Sequence, residues 1–532
     1  MRDRKAASAT RLPDVRPPQQ QSSISQSNTF HPNGLLIANA NNRHPILSLI
    51  EKAERDWKDK EASQSKTLQE AVREYKKRYH RNPPKGFEKW AYVQRHNVQL
   101  PDEYDQIHRD LSPFWALEPR DLNHRAKVMQ EREHTFTLVI QGGKVSIEGQ
   151  YAHIRRATDI ADVVSRFSHD LPKDLNMTFI MDDSPAVMLE WERKARMREM
   201  AHQGEYSGPS DYVSDDSNNA LTNYARACAP SSPLRRYEEG EEMKPEIVNM
   251  LAKKSFIWDQ RKANDVCQHP EFRALHGHTV ITGTDLTPIV PLFAWAKMPT
   301  HSDILVTPLE QYWDSYDGYD PDWARKSQNK LLWRGTTTGA EFRQDTNWRE
   351  SQRARLHFMT KETEGSRGVM WAGRDGVAKV SQFPAGALNQ LYMDTSFTGV
   401  PAQCDPETCA IMSKEIDFAP VQGLEESYQY KYVMDVDGNA WSGRFHRLMS
   451  GRSLVLKSTI FPEWYADRLM PWYHFVPVKV DYTDLYDIMA FFVGTPDGHG
   501  SHDELAHRLA DNGREWAKKY WRREDMASYM YR

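Results

Sequence analysis

With 532 residues the chain is long enough for two to four domains of about 150 residues each, and a sizeable buried core is assured. Its 70 Lys+Arg against 74 Asp+Glu leave a formal net charge of -4, so no overall excess of one sign marks it as a nucleic-acid binder. Hydrophobic residues at 39% and a mean hydropathy of -0.76 fit about 100 residues of solvated tail and loop around an ordinary core, while 16 Trp and 23 Tyr exclude a mainly disordered chain.

No window reaches the ~18 consecutive apolar residues that span a bilayer. Met1-Arg2-Asp3-Arg4-Lys5 leads into Ala, Ser, Pro and Gln without the apolar run of a signal peptide, so taken alone the chain reads as soluble and cytosolic. Residues 1–43, with Arg16-Pro17-Pro18 and a Gln/Ser run, have no apolar period and read as a disordered stalk. A helical region follows over 44–130. Ile46, Leu49, Ile50, Ala53 and Trp57, then Leu68, Ala71, Val72, Tyr75 and Tyr79, recur at three- and four-residue steps, and Pro83-Pro84 stops the second helix. Lys76-Lys77-Arg78-Tyr79-His80-Arg81 mixes base and aromatic as an RNA-binding patch would, but reads as a solvated helix face.

The period drops to two at Thr135–Ile140 and Lys144–Ile147, which Gly142-Gly143 joins into a hairpin. Residues 203–242 are acidic and poor in branched apolar side chains, the composition of a mobile insertion within a domain spanning 131–325. A second domain over 326–500 alternates strand and helix. Strands at Tyr432–Val436, Ser453–Leu456 and His474–Val480 are spaced by helices at about Ser442–Leu448, Phe461–Leu469 and Leu485–Phe492. That order predicts an α/β fold with a parallel sheet, in which ligands bind beyond the carboxyl ends of the strands. Residues 501–532 read as a C-terminal helix. Four cysteines lack zinc-finger spacing, and Cys404 and Cys409 flank a turn that either closes as a bridge or carries two thiols.

Three strand-end motifs carry possible chemistry. Met177–Met181 ends at Asp182-Asp183-Ser184-Pro185, where paired acids offer a general base or simply a turn. Leu332-Trp333-Arg334-Gly335-Thr336 places a guanidinium, backbone amides and hydroxyls where a diphosphate fits, although a salt-bridged strand-end arginine reads equally well. Asp437-Gly438-Asn439-Ala440-Trp441-Ser442-Gly443-Arg444 leaves a strand for a helix. Arg444 opposes the macrodipole there, a conflict that a bound anion resolves. Asp435-Val436-Asp437 also spells the Asp-x-Asp of metal-dependent transferases.

Taken in order, Pro291–Lys297, Leu332–Thr336, Lys431–Lys457 and His474–Val478 resemble glycosyltransferase family 90, the fungal capsule-associated proteins and animal protein O-glucosyltransferases. Pro83–Phe87 and Pro113–Leu117 are similar to its fungal branch. The resemblance implies a GT-B fold: two Rossmann-like domains facing across a cleft, with the helical region as an N-terminal extension. It implies inverting, metal-independent transfer of glucose, xylose or a similar sugar from a UDP-sugar co-substrate, with no other cofactor, to a glycan or glycoprotein. Asp183 falls on the family's base, and Arg334, Gly335, Thr336 and Asn439, Ala440, Trp441, Ser442, Gly443, Arg444 on the donor site. Phe293, Trp295 and Lys297 would lie on the acceptor side. A non-catalytic glycan- or nucleotide-binding relative is the alternative, since Ala294, Ala296, Ser184 and Ala186 replace hydroxyls and charges common in relatives. The family points to the Golgi or endoplasmic reticulum lumen, with membrane contact only through an N-terminal anchor not visible here. His502-Asp503-Glu504-Leu505 is internal and cannot serve as a retention signal.

Overall fold

A computed structural model describes residues 28–89, 96–208, 221–241, 253–281, 285–313 and 318–532. Strands β1 (Thr29–Phe30) and β2 (Leu35–Ile37) form a hairpin. β2 also pairs antiparallel with a segment more than 200 residues later, introduced below as β6. Residues 28–43 are therefore not the disordered stalk their composition suggests; their partner is too distant for any local pattern to reveal. Residues 1–27 lie outside the described residues. Gly34 turns the hairpin at φ +91°, and a Cβ there would lie 2.5 Å from the backbone at Asp259 and Ala263.

The predicted helices form at Pro45–Ala62 and Leu68–Tyr79. The first buries the expected stripe of Ile46, Leu49, Ile50, Ala53 and Trp57. The second starts at a Thr67/Glu70 capping box, and its Arg78 turns inward to Glu74 and Glu103.

β3 (Thr135–Gln141) and β4 (Lys144–Glu148) make the predicted Gly-Gly hairpin, with Gly142 and Gly143 both at positive φ. β3 also pairs antiparallel with β5 (Asp174–Ile180). After β6 (Ser255–Ile257), β7 (Leu292–Ala294) and β8 (Ile304–Leu305) add to β5 in parallel, giving the order β4-β3-β5-β7-β8. This sheet is mixed, not parallel throughout, because a two-residue turn can join only antiparallel strands.

Within the acidic stretch 203–242, residues 209–220 and 242 lie outside the described residues. Residues 221–241 instead form two short helices with Tyr224, Ala225 and Cys228 buried, and Cys228 is bonded to Cys267.

The second sheet is parallel, as predicted. β9 (Gln328–Gly335) is followed by a separate hairpin, β10 (Ser366–Ala372) and β11 (Ala378–Pro384). β12 (Met393–Phe397), β13 (Tyr430–Val436), β14 (Leu454–Ser458) and β15 (Val476–Pro477) complete the order β12-β9-β13-β14-β15. Side chains alternate between two cores. Leu332, Val433 and Val455 join a cluster that continues through Phe136, Phe179 and Leu292 of the first sheet, whereas Leu331, Trp333, Tyr432 and Leu454 pack with Leu49, Ile488 and Phe492.

Phe461–Leu469 is not helical: it runs through turns with Phe461, Trp464, Tyr465 and Leu469 all buried. Its apolar spacing reflects burial on every side, and Pro462 withholds an amide hydrogen. The C-terminal helix is two helices, Asp503–Tyr520 and Arg523–Tyr531, divided where Asp525 accepts from the Arg522 amide.

Candidate functional site

The end of β5 is fixed backbone atom by backbone atom. Trp295 Nε1 donates to Ile180 O at 3.0 Å, Met181 N donates to His134 O at 2.8 Å, and Arg156 reaches Met181 O. Two residues further on, Asp183 Oδ1 accepts from Arg156 Nη2 at 2.8 Å. The loop's far side is held by Asp303, whose carboxylate accepts from Ala186 N at 2.9 Å and Val187 N at 3.0 Å. Asp303 is fully buried, and burial pushes its carboxyl up to about 6 against the two amides that favour its charge. Asp183 itself is 39% exposed and so is presented to solvent by a rigid loop.

Trp295 and Lys297 do not face an acceptor. Trp295 is 1% exposed beneath the Arg156 guanidinium, 5.0 Å from its ring. Lys297 is buried and donates to Asp303 O at 2.7 Å, with Asp110 Oδ1 at 2.6 Å. Phe293 is half-buried and stacks on Phe179. Just beyond β7, Trp295 and Lys297 are drawn inward by their bonds to Ile180 O and Asp303 O, so they support the Asp183 loop from behind.

Opposite Asp183 lie the carboxyl ends of β9 and β13. Gly335 ends β9, where a Cβ would sit 2.6 Å from the Trp333 indole. Arg334 takes the strand-end salt-bridge geometry, with Nη2 donating to Asp394 Oδ1 at 2.6 Å and Nη1 to Asp394 O at 2.7 Å, while its buried Nε has no hydrogen bond. Arg444 stands at the N-cap of helix Phe445–Ser450 and donates from Nη1 to Arg334 O at 2.5 Å. Thr336 is exposed. Ala440, Trp441 and Ser442 are buried, and Gly443 is exposed. Beside Arg334 and Arg444 opens a cavity of about 200 Å³ walled by Leu332, Gln422, Val433 and Leu448.

Sequence reasoning missed Arg353. From the helix Gln352–Lys361 it donates to Thr336 O at 3.0 Å, Thr338 Oγ1 at 2.7 Å and Asp437 O at 2.9 Å, bracing both loops at once. Burial, followed by the neighbouring Arg444 charge, lowers it to about 10. Like Arg444 it sits where a helix begins, against the dipole, so the same criterion applied to Gln352-Arg353 would have found it.

Asn439 connects the two sides. Its Nδ2 donates to Asp183 Oδ2 at 3.3 Å, and its Oδ1 accepts from Gly339 N at 3.2 Å. Asp435 and Asp437 are built into the fold. Asp435 is buried with Lys457 Nζ at 2.7 Å and Ser442 Oγ at 2.5 Å. Asp437 Oδ2 accepts from Ile460 N at 2.8 Å and faces His276 Nε2 at 3.3 Å. Among the described residues no three His, Cys, Asp or Glu side chains converge as a metal site.

Residues 401–532 match the family described as glycosyl transferase family 90. The family 90 match takes in β13–β15 and the Asn439–Arg444 loop, and stops short of Asp183, Arg334 and Arg353. The chain is also similar to an O-glucosyltransferase rumi homolog of Aedes aegypti, 38% identical over 109 residues, 20% of this chain and 25% of that protein. Protein O-glucosyltransferase 3 of Rattus norvegicus is 33% identical over 121 residues, 22% of each chain. An uncharacterized protein, 179R, of Invertebrate iridescent virus 6 is 24% identical over 228 residues, 41% of this chain and 17% of that one. The chain thus spans a quarter or less of the length of these curated relatives.

Proposed function

We propose that the protein is an inverting glycosyltransferase, with a GT-B arrangement of its two sheets, that moves glucose, xylose or a similar sugar from a UDP-sugar to a hydroxyl of a glycan or glycoprotein. The observation that carries this reading is that one exposed carboxylate, Asp183, meets through Asn439 the two strand-end loops at which Arg334, Arg353 and Arg444 gather. Two like charges held together with one of them buried, as Arg353 and Arg444 are, favour an anion between them. The family 90 match over the Asn439–Arg444 loop and the names of the similar O-glucosyltransferases support the same reaction class.

In this mechanism Asp183 takes the acceptor hydroxyl proton. The oxygen attacks the anomeric carbon from the face opposite the phosphate, and the bond to the β-phosphate oxygen breaks with its electron pair leaving on UDP. The arginines stabilise that charge as it forms, so no step needs a metal ion. The engagement of Asp435 and Asp437 within the fold supports that economy. The two cysteine pairs, Cys228–Cys267 and Cys404–Cys409, support folding in the oxidising secretory lumen.

A panel of UDP-sugars, scored by UDP release with and without EDTA, tests the reading on the wild-type protein. Asp183→Asn is expected to retain UDP binding while transfer falls by about 10²- to 10⁴-fold, the range of general base catalysis. A fully active Asp183→Asn variant would remove the base assignment. Protease protection in intact vesicles tests the luminal placement.

A further inference from the structure

Arg156 does more than touch Asp183. It lies in the first turn of the helix Arg155–Ser165, where a cation opposes the macrodipole, and two carboxylates offset it. Nη2 donates to Asp183 Oδ1 at 2.8 Å and to Glu310 Oε2 at 2.9 Å, while Nε donates to Glu310 Oε1 and Nη1 to Met181 O. One fork therefore grips the loop by both backbone and side chain, two residues apart. The Arg156 and Glu310 side chains are 14% and 10% exposed, so their pairing is shielded from water, whereas Asp183 at 39% is not. Trp295 stacks beneath the guanidinium and prevents it from swinging away.

We propose that Glu310 and Arg156 are positioning residues for Asp183: Glu310 orients the guanidinium, and Arg156 in turn sets the direction of the Asp183 carboxylate. This rests on the transferase reading above. A second carboxylate on the same fork fixes the guanidinium in one orientation, so its hydrogen bond to Asp183 Oδ1 keeps one direction. Burial raises the Glu310 carboxyl while Arg156 opposes that rise, as expected of a group that shares one cation with a second acid. Among the described residues, further charged or titratable neighbours are Asp182 with His134 at 3.5 Å, Asp159 on the Arg156 helix, and His278, 3.5 Å from Ser184 Oγ. None of them grips Asp183 directly; Asn439 does, through its neutral amide.

The test uses the full chain, with the best donor from the UDP-sugar panel and its acceptor. Glu310→Gln preserves shape and removes the charge. It is expected to lower kcat by about ten- to a hundredfold, the cost of a misdirected catalytic group, with KM for the donor unchanged. Arg156→Gln, which removes the fork from the carboxylate, is expected to lower kcat by a similar factor, again with donor KM unchanged. Arg156→Lys and Glu310→Asp recover part of kcat, and UDP affinity with thermal unfolding reports whether each variant folds. Should Arg156→Gln fail to fold, the Glu310→Gln and Glu310→Asp pair decides. A fall in kcat at constant donor KM, partly restored in the conservative variants, sustains the proposal; wild-type kcat in folded variants, or a loss confined to donor KM, overturns it. An active wild type with indifferent variants sinks this clamp alone, and a wild type that releases UDP from no donor sinks the transferase reading and the clamp with it.

Discussion

Arg353 shows how one side chain can join two loops that are distant in sequence. Its three hydrogen bonds run to Thr336 and Thr338 after β9 and to Asp437 after β13, so removing it loosens both walls of the candidate diphosphate site. Hydrogen bonds made by a charged group are worth about 1.5–3 kcal/mol each. Arg353→Gln is accordingly expected to raise the Kd for UDP by at least about tenfold, read by titration calorimetry; an unchanged Kd would make Arg353 a brace with no share in binding. Glu463 acts on stability. Buried beside Lys457, Tyr465 and Gln311, it is pushed up to about 7 from 4.5, chiefly by burial. Its carboxyl thus binds a proton more tightly in the folded than in the unfolded chain, and stability present at low pH is lost as pH rises from 4.5 through 7. Glu463→Gln removes that loss, so the variant should gain on the wild type between pH 5 and pH 8 by about 3 kcal/mol at most, measured in denaturant melts. A constant difference at both pH values would show that its ionisation does not govern stability.

At the scale of elements, the bridge Cys404–Cys409 closes the turn at the start of helix Pro406–Glu415, and residues just before it brace the β9 loop. Ala402 N donates to Thr337 Oγ1 at 2.8 Å, and Gln403 Oε1 accepts from Gly339 N at 3.3 Å. Replacing both cysteines by serine should weaken UDP binding several-fold and cost roughly 2 kcal/mol of stability, as chain entropy gives for so short a loop. The same change at Cys228 and Cys267, 39 residues apart, should cost roughly 4 kcal/mol and leave UDP affinity alone. Equal effects of the two replacements on UDP affinity would disprove the local role of the shorter bridge. Elements such as these mark how far sequence reading reaches. The β3–β4 hairpin, the first two helices and β13, β14 and β15 of the parallel sheet were legible because periodicity and Gly-Gly turns are local signals, whereas β12 was not read as a strand. The pairing of β2 with β6 was not, since nothing near Leu35–Ile37 announces a partner at 255–257. The non-helical Phe461–Leu469 was misread because burial on all sides imitates a helical stripe. In the site, Asp183 and Arg334 at strand ends and Arg444 at a helix start were candidates by position, and the family resemblance chose between their functional and structural readings. Glu310, Asp303 and Arg353 act through residues far away in the chain, and Trp295 and Lys297 carried a motif but face inward.

Across the whole molecule, the two sheets share a continuous apolar interior. Phe179 of β5, Val433 of β13 and Trp516 near the C-terminus belong to one cluster, so the strand ends that bear Asp183 and the arginines are registered against each other by packing. Over that common core the two sides meet at the Asn439–Asp183 hydrogen bond, which ties Asp183 Oδ2 to the loop after β13. On the proposed transferase reading this contact links donor binding at the arginines to acceptor access at Asp183. Initial-rate kinetics should therefore show compulsory order with donor first, and a non-reactive acceptor analogue should inhibit uncompetitively against the UDP-sugar. Tight binding of that analogue without UDP would contradict the order. Asn439→Ala, which cuts that link, should relax the order toward random addition, so that on the transferase reading one amide sets the sequence of entry.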